Sequence, residues 1–557
     1  MMYQPLKYMK KLLNKKNIIF VILLLASVLR LWNLGSTPPH LAPDEASLGY
    51  NAYSILKTGK DEYGKIMPII FKSFGDFKPG LYVYLTVPAV AVLGLTEFAV
   101  RLPSAAFGIL AVFLMYMIGL QFFKDKKIAL VSSFLLAINP WHIHFSRGAW
   151  EINVSLTLTL LGIYFFVKAI EKQKHLFYSA FFFALTLITY QGAKLSTAIV
   201  LVVLGIIYFK DVIKFEKKTL ATAFLIGLLV SLPILLGFFQ GKTGRLEVFS
   251  VFSYPRPTDY IQQFLDQGEE KIGGLSYYLF HSEGVNFTRG VLGRWFNHFT
   301  GRFLFFEGDW QNPRHSAPYT GMFIFTDLLL IISGFIVLVR SRSKESIFIF
   351  LWLLLAPLPA ALSRDQVHAV RSYNMVIPLV LMSSFGLLFL FNKIVKHKKI
   401  ILGGLAVIYL LNYVYYLDAY FVHLSKHDSK CWEYGYKQIV GTVTPIQSNY
   451  ETIKVQQSYA QPYIYFLFYQ KYSPAKYQAQ AKLKESAVGD VGQVERLDNI
   501  YFAPIDWSVN RGEKGSLFVA DTIRIPVEDS SDPEQFKLIK EINYLNTNPA
   551  FRIIEPL

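Results

Sequence analysis

Residues 101–122 read RLPSAAFGILAVFLMYMIGLQF, an apolar run in which Arg101 is the only charged residue. A helix that crosses a hydrocarbon core of about 30 Å needs roughly 20 predominantly apolar residues. The run is followed at 124–127 by KDKK, and a lysine cluster of this kind is typical of the cytoplasmic end of a membrane span. The stretch therefore predicts a membrane-spanning helix whose lysine-rich end lies inside the cell.

Comparable runs recur along the chain and predict a polytopic α-helical membrane protein with about eleven transmembrane helices. The predicted spans are residues 18–34, 101–122, 127–141, 152–170, 176–190, 194–210, 219–240, 318–340, 346–362, 371–391 and 400–418.

The composition excludes most other classes of protein. Of the 557 residues 53% are hydrophobic and 17% charged, with a mean hydropathy of +0.34, whereas soluble domains contain about a quarter charged residues. Cys431 is the single cysteine, which excludes a disulfide scaffold. The net charge of +17 resides in short clusters between apolar runs, so it indicates cytoplasmic loops rather than nucleic-acid binding.

The loop charges predict the orientation. With the N-terminus inside, the cytoplasmic segments carry 22 lysines and arginines, beginning with Lys7, Lys10, Lys11, Lys15 and Lys16, against four in the short outer loops. This bias is a positive-inside signal. If the apolar run 79–95 spanned the membrane, every later loop would change sides and the lysine clusters would lie outside. We therefore predict that this run is a juxtamembrane or re-entrant segment on the outer face.

This orientation predicts two domains in a multi-pass plasma-membrane protein with a cytoplasmic N-terminus and an uncleaved signal anchor. Residues 1–418 form a transmembrane catalytic domain with a first outer loop at 35–100 and a long outer loop at 241–317. Residues 419–557 alternate strand-like and helix-like stretches, which predicts a small extracytoplasmic α/β domain.

Two acidic sites are expected at the outer membrane face. Asp44 and Glu45 end the stretch TPPHLAPDE (37–45), and Glu151 ends FSRGAWE (145–151). Carboxylates beside an apolar surface can have raised pKa values, and a raised pKa suits a general base. The simpler interpretation of these acids is that they are solvated loop residues that cap a helix. Their convergence at one membrane depth favours a functional site.

Basic side chains are predicted at the same level, where they can bind anionic groups such as phosphates. Ordinary interfacial snorkelling would account for each one singly. The candidate substrate-binding residues are Lys78, Arg147, Lys194, Arg314, His315, His368 and Arg371. The spacing of the histidines indicates no metal site, so no metal ligand is assigned, although a divalent metal remains open.

Several of these stretches resemble a known family. The order Arg30-Leu31-Trp32, Pro43-Asp44-Glu45-Ala46, FKPGLY (77–82) and RLPS (101–104) resembles the integral-membrane glycosyltransferases of the GT-C class, family thirty-nine. That family includes protein O-mannosyltransferases and the aminoarabinose transferase of lipid A. Later similarities are Glu151 after Asn139-Pro140, the segment 303–315 and HAVR (368–371). The resemblance spans residues 18–392 and is most specific over 30–110.

Two departures from the family pattern concern the site. The family often has Lys-Pro-Pro where this chain has Lys78-Pro79-Gly80, and its second acid is frequently Asp rather than Glu151. The second departure leaves the role of Glu151 less defined than that of Asp44.

The resemblance implies an inverting glycosyltransferase whose donor is a sugar on a polyprenyl phosphate and whose acceptor is a hydroxyl of a protein, lipid or glycan. It implies Asp44 as general base, Glu45 as an orienting group and Glu151 as an assisting acid, with cations that neutralise the leaving lipid phosphate. No cofactor is required in this mechanism, and the other expected partners are membrane lipids rather than nucleic acid.

Three alternatives remain at this point. A transporter or lipid-linked glycan flippase would place its polar groups near the bilayer midplane, often in repeated halves, whereas these acids gather at the outer interface and the sequence shows no repeat. A polysaccharide polymerase or ligase would rely on an arginine-rich outer loop. An interaction protein with a membrane anchor would not need eleven spans.

Overall fold

The computed structural model describes residues 18–241, 250–457, 461–480, 482–484 and 492–557. Within them, six helices are long and apolar enough to cross a membrane, or seven if a bent pair counts as one span. The chain is therefore a multi-pass helical membrane protein. The N-terminal lysines of the charge count and residues 242–249 of the long outer loop lie outside the described residues.

The helices follow the predicted spans in order. The long ones comprise Glu97–Phe123, Glu151–Glu171, Lys217–Phe239, Lys344–Ala361, Tyr373–Lys393 and Lys398–His427. Shorter apolar helices are Ile18–Leu31, Leu81–Leu93, His175–Leu187 and Ala193–Ile207. The predicted span 318–340 contains only the helix Asp327–Ser341. Eleven spans therefore remains a prediction, because several of the helices are shorter than a hydrocarbon core requires.

The run 79–95 forms the helix Leu81–Leu93, which contains Pro88. Thirteen residues rise about 20 Å, which is less than the thickness of a hydrocarbon core. The helix His175–Leu187 has the same length, so the placement of the run 79–95 on the outer face remains a prediction.

One span is broken beside the candidate site. The helices Lys126–Ile138 and Pro140–Ser146 meet at an angle of 60°, because Pro140 cannot donate a hydrogen bond to the preceding helix. The Asn139 side chain caps the new helix by accepting from the amide of His142 at 2.9 Å. The buried Arg30 guanidinium donates to the carbonyls of Leu136 and Ala137, which satisfies carbonyls that the break leaves open.

The first outer loop contains a helix and a hairpin that carry the candidate site. The loop helix, Pro43–Thr58, starts with Pro43 in its first turn and a capping contact in which the amide of Ala42 donates to Glu45, and it ends at Gly59 with φ +67°. The loop hairpin pairs the strands Ile70–Ser73 and Asp76–Pro79.

Shorter helices occupy the long outer loop, namely Thr258–Gln267, Tyr277–His281, Glu283–Asn297, Arg302–Phe306 and Pro313–His315.

The C-terminal region contains a six-stranded mixed sheet. In spatial order its strands are Arg496–Leu497, Ile500–Ala503, Thr452–Gln456, Ser516–Asp521, Pro549–Pro556 and Phe536–Asn543. The three central strands, Ile500–Ala503, Thr452–Gln456 and Ser516–Asp521, run parallel, and the outer pairs are antiparallel. Helices Tyr436–Val443, Tyr463–Tyr469 and Pro474–Gln480 accompany the sheet. The predicted α/β character of this region is confirmed.

The C-terminal region packs directly on the first outer loop, and the two share one hydrophobic cluster. The hydroxyl oxygen of Tyr465 lies 3.0 Å from the carbonyl oxygen of Leu41, and the hydroxyl of Tyr50 donates to the carbonyl of Tyr472 at 3.1 Å. Gly49 permits this close approach, because a Cβ there would lie 2.7 Å from the Phe468 ring. The start of the loop helix is therefore held between the membrane helices and the C-terminal region.

Candidate active site

Asp44 occupies the first turn of the loop helix and is one of the more exposed acids of the region, with 54% of its side chain exposed. The ammonium of Lys78, on the second strand of the loop hairpin, forms an ion pair with Asp44 Oδ1. Lys78 is itself only 15% exposed. The structure thus joins the predicted base and the first predicted cation, which are 34 residues apart in the sequence.

Glu45 differs from Asp44 because it is buried and surrounded by donors. Its two oxygens accept from Arg101 Nε at 3.0 Å and Nη2 at 3.1 Å. They also accept from the amides of Ala42 at 3.0 Å and Ala149 at 2.7 Å. These four contacts hold Glu45 in a positioning role within the protein, and its predicted orientation of a substrate remains a prediction.

Arg101 organises the backbone that precedes the loop helix. Its fully buried guanidinium donates to the carbonyls of Leu34, Pro38 and His40, in addition to Glu45. A planar fork with five N–H groups suits this arrangement in a way that lysine does not. Sequence reasoning quoted Arg101 in a motif but did not assign it this role.

Glu151 begins the helix Glu151–Glu171 and is partly buried. The contact between Glu45 and the amide of Ala149 ties this second acidic site to the first. Burial, and to a smaller extent the charges of Glu45 and Glu151, raise the pKa of Tyr82, so its phenol is near both acids. The two acidic sites therefore belong to one region, as their predicted depth suggested.

Arg147 is fully buried behind the acids. It donates to the carbonyl of Leu29 at 2.9 Å and that of Thr37 at 3.0 Å, and its guanidinium lies 4.8 Å from the ring centroid of Phe421. These contacts give Arg147 a structural role in the described state, and its predicted contact with substrate remains a prediction.

Lys194 lies beside the loop hairpin. Its ammonium donates to the side-chain oxygen of Gln191 at 2.7 Å, and Gln191 donates to the carbonyl of Phe77, the neighbour of Lys78. The direct partner of Lys194 in these contacts is a neutral amide rather than a carboxylate.

His315 and His368 come together with Asp309, a residue that sequence reasoning had not singled out. One ligand atom from each lies within 4.8 Å of the others. Asp309 Oδ2 accepts from His315 Nδ1 at 2.8 Å and from the amide of Ala369 at 2.7 Å. Burial lowers the pKa of His368 well below its ordinary value, so its ring is neutral. The sequence does not reveal this cluster, because His368 lies in a different loop, 53 residues after His315.

The histidine cluster adjoins the second acidic site. The ring of His315 makes an edge contact with Trp150, the residue before Glu151, at 5.4 Å between centroids. Arg371, close to His368, donates to Asp365 at 2.8 Å. The peptide carbonyl of Arg314 accepts a hydrogen bond from His144 Nε2 at 2.7 Å.

Arg314 also leads to a second group that sequence reasoning missed, because its side chain interacts electrostatically with Glu433 of the C-terminal region. Glu433 interacts with Asp44 as well. No motif in the sequence signalled this acid, since its neighbours in space come from the first and the long outer loops.

Comparisons with known proteins agree with this architecture. Residues 78–236 match the family model described as dolichyl-phosphate-mannose-protein mannosyltransferase. The structure is similar to that of ArnT from Cupriavidus metallidurans bound to undecaprenyl phosphate, with 11% identity, a TM-score of 0.56, and coverage of 96% of this chain and 97% of that chain. The apo state of the same protein gives 12% identity, a TM-score of 0.55 and the same coverage. No curated protein matches the sequence.

The fold is therefore similar, over almost the whole length of the chain, to that of ArnT. The match to the mannosyltransferase family model covers residues 78–236, which is less than half of the chain. The transporter, flippase and polymerase alternatives are not favoured.

Proposed function

We propose that the chain transfers a sugar from a polyprenyl phosphate to an acceptor hydroxyl at the outer face of the plasma membrane, with inversion at the anomeric carbon. The observation that carries the proposal is the Asp44–Lys78 pair, an exposed carboxylate and an ammonium held together beside the membrane helices. Support also comes from the similar structure of ArnT, whose description records bound undecaprenyl phosphate.

Asp44 acts as the general base in this mechanism. It accepts the proton of the acceptor hydroxyl while that oxygen attacks the anomeric carbon, and the bond between this carbon and the phosphate oxygen breaks. The leaving polyprenyl phosphate takes the bonding electron pair and stays in the bilayer. Glu45 fixes the adjacent backbone through Arg101, so that Asp44 projects into the site.

The cations stabilise the charge that develops on the phosphate. An ammonium has three N–H donors, so Lys78 can hold Asp44 and still donate to the donor substrate. The attacking and leaving oxygens lie on opposite sides of the anomeric carbon, which requires at least one further cation away from Asp44. Lys194 is a candidate for this role because its ammonium lies beside the loop hairpin, where it donates to Gln191 and is near the charge of Asp76, with Arg314 and Arg371 as the other candidates.

The donor set of Asp309, His315 and His368 fits a divalent metal such as Zn²⁺, which binds histidine nitrogens and carboxylate oxygens. A bound ion would tie the long outer loop to the segment before Tyr373–Lys393, and no step of the transfer requires it. We expect metal analysis of the purified protein to find about one zinc per chain in the wild type and much less in His315→Ala. Equal metal content in both proteins would contradict this assignment.

The function is tested with purified protein, membrane extract and a panel of radiolabelled hexoses and pentoses linked to undecaprenyl phosphate. One panel member should label an acceptor in the extract, and Asp44→Asn should lower that transfer by on the order of 10²-fold or more, the scale of general-base catalysis. Wild-type transfer by Asp44→Asn would remove Asp44 from the mechanism.

The orientation can be tested with the natural cysteine. Cys431 is exposed and is the single cysteine of the chain, so an impermeant maleimide should label it in intact cells. Burial raises the pKa of this thiol, so the labelling needs mildly alkaline pH. As a matched control, Lys127→Cys in a Cys431→Ser background should react only after permeabilisation. The opposite pattern would place the site in the cytosol and refute the proposal.

A further inference from the structure

Glu433 is held in an unusual position by the turn CWEYG (431–435), just before the helix Tyr436–Val443. Its φ is +53°, in the left-handed region that a residue with a side chain rarely adopts. Such conformations persist where the surrounding structure enforces them, and they cluster at functional sites. Gly435 shapes the same turn with φ +123°, where a Cβ would lie 2.7 Å from the ring of Phe551.

The partners of Glu433 aim it at the start of the loop helix. The buried hydroxyl of Tyr465 lies 2.7 Å from Glu433 Oε2 and 3.0 Å from the carbonyl oxygen of Leu41. Since Leu41 precedes Asp44 by three residues, one tyrosine joins the C-terminal region to the segment that carries the proposed base. Asp44 and Arg314 both interact electrostatically with Glu433.

We propose that Glu433 is an acceptor-binding residue of the transfer site, supplied by the C-terminal region, and that it accepts a hydrogen bond from an O–H or N–H group of the acceptor. This inference rests on the proposed function. The acceptor it selects carries a hydrogen-bond donor, either a second hydroxyl or a cationic or amide nitrogen, beside the hydroxyl that is glycosylated.

Charge separates the acceptor from the other substrate. A carboxylate repels the phosphate of a polyprenyl-phosphate donor, and the cations proposed to hold that phosphate, Lys78 and Lys194, lie on and beside the loop hairpin. Glu433 approaches Asp44 from the C-terminal region instead. Glu433 therefore lies on the side of Asp44 where the acceptor brings its hydroxyl to the base.

The ionisation of Glu433 gives the inference a signature in pH. Burial raises the pKa of Glu433 to about 7, while the Tyr465 hydroxyl and the charge of Arg314 lower it and that of Asp44 raises it. Above this pH the carboxylate accepts a hydrogen bond, and below it the protonated acid accepts poorly. The acceptor concentration for half-maximal transfer should therefore rise as the pH falls through about 7.

The test compares Glu433→Gln, Tyr465→Phe and wild type, each as the full chain, with the panel donor that supports transfer and graded amounts of membrane extract. Glu451→Gln is the matched control, because Glu451 is an exposed acid of the same region. Binding of undecaprenyl phosphate, measured by thermal shift, reports whether each variant is folded and retains its donor side.

We expect Glu433→Gln to need about tenfold more extract for half-maximal transfer, the scale of one hydrogen bond to a charged group, with an unchanged KM for the donor. In Glu433→Gln the amount of extract for half-maximal transfer should also no longer depend on pH near 7. Tyr465→Phe should act in the same direction and more weakly, and the control should match wild type.

Other outcomes overturn the inference. A raised donor KM would place Glu433 against the sugar, and unchanged values for both substrates would leave it no binding role. A lower kcat without a change in either KM would make it a positioning residue for Asp44. Failure of the wild type to transfer from any panel donor would instead refute the proposed function, and this inference with it.

Discussion

Asp44 and Glu45 are adjacent in the sequence, yet their replacement by the matching amides should have different consequences for stability. Asp44 is about half exposed and forms an ion pair with Lys78. Exposed pairs contribute about 0–1 kcal/mol. Glu45 is 5% exposed and bonds to a guanidinium that is fully buried. Removal of one partner from a buried pair typically costs about 3–5 kcal/mol, because it leaves the other charge uncompensated.

For Glu45→Gln we therefore expect a loss of stability at that scale. The amide cannot accept both N–H groups of Arg101 and also those of Ala42 and Ala149, since one of its two terminal atoms is a donor. Thermal unfolding in detergent, followed by tryptophan fluorescence, should show a melting temperature several degrees below that of wild type. Transfer should fall as well, because the backbone before Asp44 loosens.

Asp44→Asn supplies the paired measurement. Its melting temperature should lie close to that of wild type, while its transfer falls on the order of 10²-fold or more. Glu513→Gln serves as an additional control, since it removes a carboxylate that is 38% exposed and bridged to Lys454 far from the site. Equal destabilisation by Asp44→Asn and Glu45→Gln, or a stable and fully active Glu45→Gln, would refute the division of roles.

Two further predictions concern neighbours of the pair. Lys78→Met should raise the KM for the polyprenyl-phosphate donor at least several-fold, because it removes the cation closest to Asp44, and an unchanged donor KM would clear Lys78 of phosphate contact. Burial raises the pKa of Glu62 to about 8, whereas an unfolded glutamate titrates near 4.3. The unfolded chain therefore releases this proton first, so folding stability should fall by up to about 1.4 kcal/mol per pH unit between those values. Glu62→Gln keeps the hydrogen bond from Asn51 and should flatten that decline in melting temperature, whereas a parallel decline in both proteins would contradict the assignment.

Local sequence patterns predicted the helical membrane class and most of the elements. Apolar runs depend only on composition along the chain, so the long helices appear where they were expected. The segment 318–340 yielded a shorter helix, because Pro318 and the turns before Asp327 keep its first residues irregular. The edge strand Phe536–Asn543 could not be located from the sequence, because charged residues on its open face break the alternation of apolar and polar residues.

The candidate site could be predicted only in part, for a physical reason. Asp44 and Lys78 can be recognised in the sequence because both are polar residues at the end of apolar stretches in one loop. Asp309 and Glu433 cannot be recognised in this way, because tertiary packing brings their partners to them: His368 from another loop to Asp309, and Arg314 from the long outer loop to Glu433. Residue type alone could not tell that Glu45 is enclosed by donors while its neighbour is exposed.

A truncation at residue 418 looks like the direct way to ask what the C-terminal region contributes, but the packing argues against it. Leu41, Phe71 and Phe74 of the first outer loop belong to the same buried cluster as Tyr463, Ile464 and Phe468. Removing residues 419–557 would expose that cluster to water and take away the hydroxyl of Tyr465 that holds Leu41. Loss of transfer in the truncated protein would then follow from a displaced Asp44, whether or not the C-terminal region touches the acceptor. Only single side-chain changes that leave this cluster intact can separate support of the first loop from recognition of a substrate.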